Sequence, residues 1–388
     1  MNSVKPVIPM EEYPVRWERT RRIMQTHSLD LLVAYADDHA VFGPAYGRYL
    51  ANFTAHFEPC IILLPKEGDP VLLVGPESPT YASIHSPIKN IVVLKEFDHP
   101  DEDYPFTEMV PFVKVVDSLK LGSPKRIGLC GASLMSAGLY NSLIKAMPVE
   151  WIHFDTEVSG LRAVKTPAEI EVIRYAYRIA EKGLLRAVEV IQPGITEREV
   201  AAELEYVMRK MGSEGLGIDT FVASGPNSRS IIARTTFREI SKDDLVMLTI
   251  APRYEGYHSA VAIPILFGKV HDDIRKAVYA AKEAHEICAA ALRSGAGAEV
   301  EQMGRDHMAK VNLEKYFLYS GIHSVGVMEF EAPIFGPSCK SLMEKDMILS
   351  IDIPVFDAPW GGFRIENGYL IGEKDAECLA NIPLMVEK

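Results

Sequence analysis

Charged side chains interrupt two apolar runs near the end of the chain. Asp352 lies within "MILSIDIPVF", and Glu366 follows Arg364 within "FRIEN". An unpaired charge on an apolar strand is costly, so each carboxylate needs a partner. Arg364 would supply a purely structural ion pair. The same carboxylates, placed in a cleft, could instead move protons or attack carbon. The residues alone leave both interpretations open.

A second stretch with chemical potential is "LTIAPRYEGYHSAVAIPILFG", residues 248–268. It predicts a strand, a turn at Gly256 and Tyr257, and a second strand. Tyr257 and His258 are neighbours on that strand, so only one of them can face a pocket. The polar loop "GPNSRS" at 225–230 lacks the lysine and the spacing of a phosphate-binding P-loop, and we do not expect it to bind a nucleotide.

The elements that must position these residues fall into two parts. The first 155 residues alternate short apolar runs with amphipathic runs, which predicts an α/β layer domain. The predicted strands are "LDLLVAY", "PCIILLP", "PVLLVG", "NIVVLK", "RIGLC" and "WIHF", with a hairpin turn at "PKEGDPV". The predicted helices are "EEYPVRWERTRRIMQTH", "FTEMVPFVKVVDSL" and "SLMSAGLYNSLIKAM". We place the two domains at residues 1–157 and 158–388.

The second part opens on a strong helix start. Thr166, Pro167 and Glu169 form the pattern of a capping box with proline at the first helical position. Two later segments, "LLRAVEVIQPGITEREVAAELEYVMRKMG" and "ICAAALRSGAGAEVEQMGRDHMAKVN", resemble each other as helix, glycine break and helix. Two related halves with strands between and after them predict a pseudo-symmetric α+β domain that could hold a central site.

The bulk composition excludes several classes of protein. The chain has 388 residues, 48% of them hydrophobic, and a formal net charge of −12, which argues against nucleic-acid binding. Its five cysteines are scattered and form no CxxC pair, which indicates reduced thiols in a cytoplasmic protein. No signal peptide and no apolar run of about 18 residues is present, so we expect no membrane span. A small-molecule substrate is expected on the separate ground of the family resemblance given below.

The ordered motifs resemble the pita-bread superfamily, which includes methionine aminopeptidase, Xaa-Pro aminopeptidase, prolidase and creatinase. The resemblance is carried by "RAVKTPAEIEVIR", "PGITEREV", "DDLVMLTIAPRYEGYHSA", "GIHSVGVMEFEAP", "DMILSID" and "GFRIENGYLI". It implies an α+β pita-bread domain at the C-terminus. The part before it resembles the N-terminal α/β domain of creatinase and prolidase, with a mixed sheet.

In the metallopeptidases of this superfamily, two aspartates, one histidine and two glutamates hold two metal ions. The resemblance places those positions on Thr249, Ala260, His323, Asp352 and Glu366. Two carboxylates are therefore lost, including one that bridges the ions, and a two-metal centre is not expected.

Two further histidines of the family are also replaced. Their positions fall on Ile232 and Phe330. Creatinase, which works without metal, is the precedent. We therefore expect a metal-independent, creatinase-like hydrolase that acts on a C–N bond of an amidine, guanidino compound or cyclic amide, with no cofactor.

The expected catalytic residues are His323, Glu331, Glu366 and Asp352. His323 would act as general base or proton shuttle, and at least one of the clustered carboxylates should have a raised pKa and hold a proton near neutral pH. Structural ion pairing of the same cluster is the plain alternative. The expected substrate-binding residues are Tyr257, His258, Thr249, Arg364, Phe57 and Glu58.

Two other functions remain open from the sequence. One is an Xaa-Pro peptidase-like metallohydrolase with a single Mn or Zn on His323, Asp352 and Glu366. The other is a non-catalytic protein that binds peptides in the pita-bread cleft. The resemblance also implies a homodimer, in which the aromatic segment 43–57 of one chain would cover the site of the other.

Overall fold

The chain divides into two compact units. The computed structural model describes residues 5–99 and 103–388. One unit is Ile8–Arg162, and the other is Ala163–Lys388 together with residues 5–7. Each unit has its own sheets, and the predicted succession of an α/β part and an α+β part is confirmed. Within the described residues, no helix is both long enough and apolar enough to cross a membrane.

The first unit is built on a mixed six-stranded sheet. Its elements are α1 (Glu12–Thr26), β1 (Leu31–Ala36), α2 (Ala45–Ala51), β2 (Cys60–Pro65), β3 (Val71–Val74), α3 (Pro79–His85), β4 (Asn90–Val93), α4 (Phe112–Ser118), β5 (Arg126–Cys130), α5 (Ala137–Ala146), β6 (Glu150–His153) and α6 (Asp155–Ala163). The strand order is β4-β3-β2-β1-β5-β6. The β1–β2 and β2–β3 pairs are antiparallel and the remaining pairs are parallel.

All six strands and the hairpin of this unit were predicted from the sequence. Three short helices, α2, α3 and α6, were not. The first of them lies inside the aromatic segment 43–57. Every residue of α2 is buried, and α2 packs against α1, β1 and β2 of the same unit. A helix of two turns leaves too short a repeat to stand out as periodicity.

The second unit holds two helix pairs and a large sheet. Its elements are α7 (Pro167–Val190), α8 (Glu197–Met211), β7 (Gly215–Leu216), β8 (Phe221–Ser224), β9 (Leu245–Ile250), β10 (Pro252–Tyr254), β11 (Tyr257–His258), β12 (Val261–Leu266), α9 (Asp272–Ala291), α10 (Glu299–Lys310), β13 (Ile322–Ser324), β14 (Glu331–Ile334), β15 (Ile348–Ala358), β16 (Gly361–Ile371), β17 (Ala376–Cys378) and β18 (Val386–Glu387). The main sheet runs β14-β13-β15-β16-β12-β9-β8, with β17 on β16 and β18 on β12.

The predicted start of α7 is confirmed in atomic detail. The Thr166 side chain accepts a hydrogen bond from the Glu169 backbone amide at 3.3 Å, and the Glu169 carboxylate accepts from the Thr166 amide at 2.8 Å. This reciprocal capping box satisfies two amides that a helix start leaves without partners. It fixes where α7 begins, and with it the positions of the side chains that α7 carries toward the sheet.

Strand register gathers the candidate residues on one face of the main sheet. Asp352 on β15 lies opposite Glu366 on β16, which in turn lies opposite Ala262 on β12, and Ala262 lies opposite Thr249 on β9. Directly paired residues of an antiparallel sheet project to the same face. The main sheet therefore forms the floor of the candidate site.

A histidine is buried without charge in the second unit. His285 on α9 is 0% exposed, with its ring centroid 5.8 Å from that of Tyr369. Burial lowers the pKa of His285 to about 4, because the imidazolium would lose its hydration. The folded protein therefore keeps this ring neutral at pH values where the unfolded chain protonates it.

Acidification is expected to destabilise the fold through His285. The unfolded ring binds a proton below about pH 6.5, whereas the folded ring does so only near pH 4. The contribution of His285 to stability is thus complete above pH 6.5 and falls as the pH drops to 4, by about 3 kcal/mol. Urea unfolding at several pH values should show a steeper acid loss for wild type than for His285→Leu. The exposed His39, changed to Gln, is the control; a parallel acid loss in wild type and His285→Leu would contradict the assignment.

Candidate functional site

One histidine and two glutamates form the centre of the site. His323, Glu329 and Glu366 each offer one ligand atom, and these atoms lie within 4.8 Å of one another. The three residues are 2%, 7% and 1% exposed. His323 Nε2 lies 3.5 Å from Glu366 Oε1. An imidazole and two carboxylates that converge while buried have the donor chemistry of a Zn or Mn site.

Neighbouring groups fix the orientation of this centre. Ser350 Oγ donates to Glu366 Oε1 at 2.8 Å, and His323 Nδ1 lies 3.1 Å from the Ser324 carbonyl oxygen. Phe330 packs on the imidazole with ring centroids 4.3 Å apart. Such partners of a ligand hold its rotamer and its tautomer. The Nε2 atom of His323 is thereby directed at the carboxylates.

Asp352 belongs to an adjoining network rather than to this centre. Tyr319 donates to Asp352 Oδ2 at 2.6 Å, and Arg364 Nη1 lies 3.5 Å from the same oxygen. Arg364 Nη2 donates to the Ile231 carbonyl at 2.8 Å. The other carboxylate oxygen, Oδ1, has no hydrogen-bond partner among residues 5–99 and 103–388. Asp352 therefore keeps one oxygen available next to Glu366.

Burial and mutual repulsion set the protonation of the carboxylates. Burial, followed by the charge of Glu366, raises the pKa of Glu329 to about 7. Burial also raises the pKa of Asp352 to about 7, against the opposing effect of Arg364. Burial alone would raise the pKa of Glu366 too, but His323, Arg364 and Ser350 together outweigh it and hold that pKa below its ordinary value. The raised pKa values of Glu329 and Asp352 agree with the expectation that a clustered carboxylate holds a proton near neutral pH.

The histidine responds to the same balance in the opposite sense. Burial would lower the pKa of His323, but the hydrogen bond and charge of Glu366, together with the charge of Glu329 and the Ser324 carbonyl, make the net shift upward. His323 and Glu366 thus stabilise each other's charged forms. The pair carries no net charge when both are ionised, which reduces the cost of enclosing it.

A buried lysine anchors the remaining predicted catalytic residue. Lys165 Nζ lies 3.2 Å from Glu331 Oε1 and donates to Ser324 Oγ at 2.9 Å. The two charged side chains are 2% and 1% exposed. Lys165 directly precedes the capping threonine of α7, and Ser324 directly follows His323. The ion pair therefore ties the start of α7 to the strands that carry the site.

The predicted substrate-binding residues are dispersed. Tyr257 donates to Glu169 at 2.7 Å, and the His258 ring lies 3.2 Å from the Gly326 carbonyl. Thr249 shares the cross-strand row of Glu366, as described above. Arg364 is held by Asp352 and Ile231. A role in substrate binding stays a prediction for these residues.

Phe57 and Glu58 lie in the first unit. Glu58 is 1% exposed and accepts hydrogen bonds from the Glu77 amide at 2.9 Å and the Ser78 hydroxyl at 2.6 Å, so its charge closes a turn of its own unit. Phe57 is exposed and stacks on His99, with ring centroids 4.4 Å apart. Their predicted contact with substrate remains a prediction.

Sequence reasoning missed Glu329 and Ser350, of which only Ser350 had a periodicity signal. Glu329 lies two residues before Glu331 in "VMEFE", and Ser350 lies two residues before Asp352 in "LSID". Residues two apart on an extended strand project to the same face. Ser350 shares β15 with Asp352 and could thus have been found as its same-face neighbour. Glu329 lies in the bend before β14, where strand periodicity does not hold. Tyr319 and Lys165 carried no comparable signal.

Two family models match nearly the whole chain. The model described as "Metallopeptidase family M24" matches residues 171–373. The model described as "Creatinase/Prolidase N-terminal domain" matches residues 16–164. Both matches confirm the predicted resemblance and assign one family domain to each part of the chain.

Individual relatives agree with the family models. A curated Xaa-Pro dipeptidase of Pyrococcus furiosus is 28% identical over 326 residues, which cover 80% of this chain and 93% of the relative. The structure of prolidase from Pyrococcus furiosus is similar at 25% identity with a TM-score of 0.78, over 94% of this chain and 99% of that one. The prolidase structure from Pyrococcus horikoshii OT3 matches with a TM-score of 0.82 at 23% identity, over 95% and 99% of the two chains, and supports the fold.

These findings correct two expectations from the sequence. The metal-independent, creatinase-like hydrolase was wrong as the main interpretation, because the matched family is one of metallopeptidases and the curated relative is an Xaa-Pro dipeptidase. The expected absence of a cofactor was wrong for the same reason. The physical source of the error is Glu329. Its carboxylate offers a third ligand atom beside those of His323 and Glu366, and the family resemblance did not place a ligand at this position.

Proposed function

The chain belongs to the metallopeptidase family M24, and from this premise we propose that it hydrolyses small substrates of the Xaa-Pro dipeptide class with one divalent metal ion. The observation that carries the proposal is the buried group of His323, Glu329 and Glu366, whose ligand atoms lie within 4.8 Å of one another. The relationship to a curated Xaa-Pro dipeptidase supports the substrate class.

His323, Glu329 and Glu366 fit one ion of the Mn or Zn type. Three protein ligands are the usual number in a catalytic zinc site, where one position stays open. Glu366 Oε2 has no hydrogen-bond partner among the described residues, so this oxygen is available as a ligand. When bound, such an ion would supply Lewis acidity that polarises an amide carbonyl.

The residues around the ligands would hold and move the proton. Asp352 is the proposed general acid, because burial raises its pKa to about 7 and its Oδ1 atom has no partner among the described residues. A carboxyl group that is protonated near neutral pH can protonate the leaving amine of a cleaved peptide bond. Tyr319 and Arg364 orient this carboxyl group through its other oxygen.

Water exclusion is the second contribution of the chain. The imidazole of His323 lies between Phe330 and Glu366, and the residues of the centre are almost fully buried. Electrostatic interactions strengthen in such an environment. We propose that this enclosure confines the site to small substrates.

We also propose a homodimeric assembly and a cytoplasmic location. The family resemblance supports the dimer. The free cysteines Cys60, Cys130 and Cys288 are buried, which fits a protein that keeps its thiols reduced. Light scattering of the purified chain would test the dimer directly, and a monomer at micromolar concentration would reject it.

The deciding experiment combines metal content with hydrolysis. The protein is loaded with Mn or Zn, dialysed, and assayed by elemental mass spectrometry and with a panel of Xaa-Pro dipeptides. We expect about one ion per chain and hydrolysis that stops on chelation and returns with metal. Hydrolysis that persists after complete chelation, or one tightly bound ion without turnover of any dipeptide in the panel, would reject the proposal.

A further inference from the structure

A tyrosine from α7 reaches the part of the sheet that carries Glu366. Tyr177 is fully buried, and its hydroxyl oxygen exposes less than 1 Å². The hydroxyl lies beside the backbone of Ala260, and Glu366 is the charged group that most strongly raises the pKa of this hydroxyl, after burial. The preceding residue of α7, Ala176, accepts a hydrogen bond from Ser259 Oγ at 3.1 Å, which holds the helix against this segment. Tyr177 is thus fixed in place from both sides.

A glycine on β16 makes room for this tyrosine. A Cβ atom at Gly368 would lie 2.0 Å from the Tyr177 hydroxyl oxygen and 2.1 Å from its Cζ atom. Gly368 is two residues after Glu366 on the same strand, and so projects to the same face. The phenol ring tip occupies the space that any other residue at 368 would use. The Tyr177 phenol therefore fills the space beside Gly368 on β16, the strand that also carries Glu366.

The residues around Tyr177 do not fit a second metal ion. Thr249 offers a neutral hydroxyl where the family has one aspartate, and Ala260 offers no ligand atom where it has the other. Both residues are 1% exposed, and the small Ala262 lies between Thr249 and Glu366 in the cross-strand row. Thr249 and Ala260 therefore supply no charged ligand for a second cation.

We propose that Tyr177 closes the place of the second ion, so that this site holds one metal ion and no more. The inference deepens the proposed function, on which it rests. Restoring the two lost carboxylates would therefore not restore the second ion, because the phenol of Tyr177 fills the space beside Gly368 on this face of the sheet. The phenol hydroxyl would thereby exclude a second cation. Glu366 would then be a ligand of one ion only.

The test is a metal count on a series of variants after saturation with Mn and dialysis. Wild type is expected to hold one ion per chain. Thr249→Asp combined with Ala260→Asp should still hold one. Addition of Tyr177→Ala to that pair should raise the count to two. The matched control adds Tyr175→Ala instead, which removes a ring of the same helix that packs on Tyr254, and should leave the count at one.

Two results of this series would overturn the proposal. One is a second ion in the Thr249→Asp, Ala260→Asp protein that retains Tyr177. The other is a folded triple variant that still holds one ion. A wild-type protein that binds no ion would reject the proposed function instead. Even then, one more bound ion in the triple variant than in the double variant would support the role of Tyr177.

A stability measurement covers the case in which the triple variant fails to fold. Gly368→Ala should lower the melting temperature by roughly 5 °C, because the added methyl group overlaps the phenol. Combining it with Tyr177→Leu should remove the penalty of the added methyl group, relative to Tyr177→Leu alone. A Gly368→Ala protein as stable as wild type would show that the phenol is not held there, and would overturn the proposal.

Discussion

Glu366→Gln is expected to abolish metal binding and with it dipeptide hydrolysis. The substitution keeps the shape of the side chain but removes the charge that faces His323 Nε2 at 3.5 Å. Changing a residue that merely supports a metal ligand costs about 10–100-fold in affinity or activity. Loss of a ligand itself should therefore lower both by more than about 100-fold. Isothermal titration with Mn and the rate of Xaa-Pro dipeptide cleavage would measure the two effects.

Ser350→Ala provides a graded companion to this variant. Ser350 donates to Glu366 Oε1 at 2.8 Å, so its removal should cost about 10–100-fold while leaving the ligand in place. Glu377→Gln on β17 is the control for an acid-to-amide change at an exposed position and should behave as wild type. Full metal affinity in Glu366→Gln would exclude this carboxylate as a ligand.

Lys165→Met is expected to destabilise the second unit by about 3–5 kcal/mol. The substitution leaves the buried carboxylate of Glu331 without the ammonium that lies 3.2 Å away. It also removes the donor to Ser324 Oγ, next to His323. An uncompensated charge in a protein interior is far more costly than the loss of the pair as a whole. Denaturant unfolding at neutral pH would measure the change.

The combination of Lys165→Met with Glu331→Leu tests the reason for that loss. If the loss of stability arises because the Glu331 carboxylate no longer has the Lys165 ammonium beside it, the double variant should recover most of that stability. In the double variant two apolar side chains replace the ion pair. Lys282→Met is the matched control, since Lys282 forms an exposed pair with Glu286 at 2.8 Å whose loss should cost about 0.3–0.5 kcal/mol. Equal losses for Lys165→Met and Lys282→Met would contradict the burial argument.

Periodicity and capping predicted much of the scaffold. The six strands of the first unit are short apolar runs bounded by turn residues, and the α7 start has three residues that agree on one conformation. These are local signals, and local physics decides them. The order of the motifs along the chain predicted the positions of His323, Asp352 and Glu366. The motifs around these residues remain recognisable although two other ligand positions hold Thr249 and Ala260.

The rest of the site depends on contacts between distant segments. Glu329 lies in the segment between β13 and β14 and meets His323 and Glu366 only in the folded chain, and Tyr177 reaches the same face from a helix. Nothing in the local sequence of a tyrosine on an amphipathic helix distinguishes a core position from a site position. The ligand positions implied by the family resemblance therefore did not include Glu329. The expectation that no metal binds rested on this incomplete set.

The ion pair between Lys165 and Glu331 also has a consequence for synthesis of the chain. Its partners are 166 residues apart in sequence. At a translation rate of about 5–20 residues per second, Lys165 exists for roughly 8–33 seconds before the ribosome adds Glu331. During that interval the carboxylate partner of its ammonium does not yet exist, so the contact between the start of α7 and the strands of the site forms only later. The first unit, whose residues precede Lys165, can complete its own sheet while the second unit is still being made.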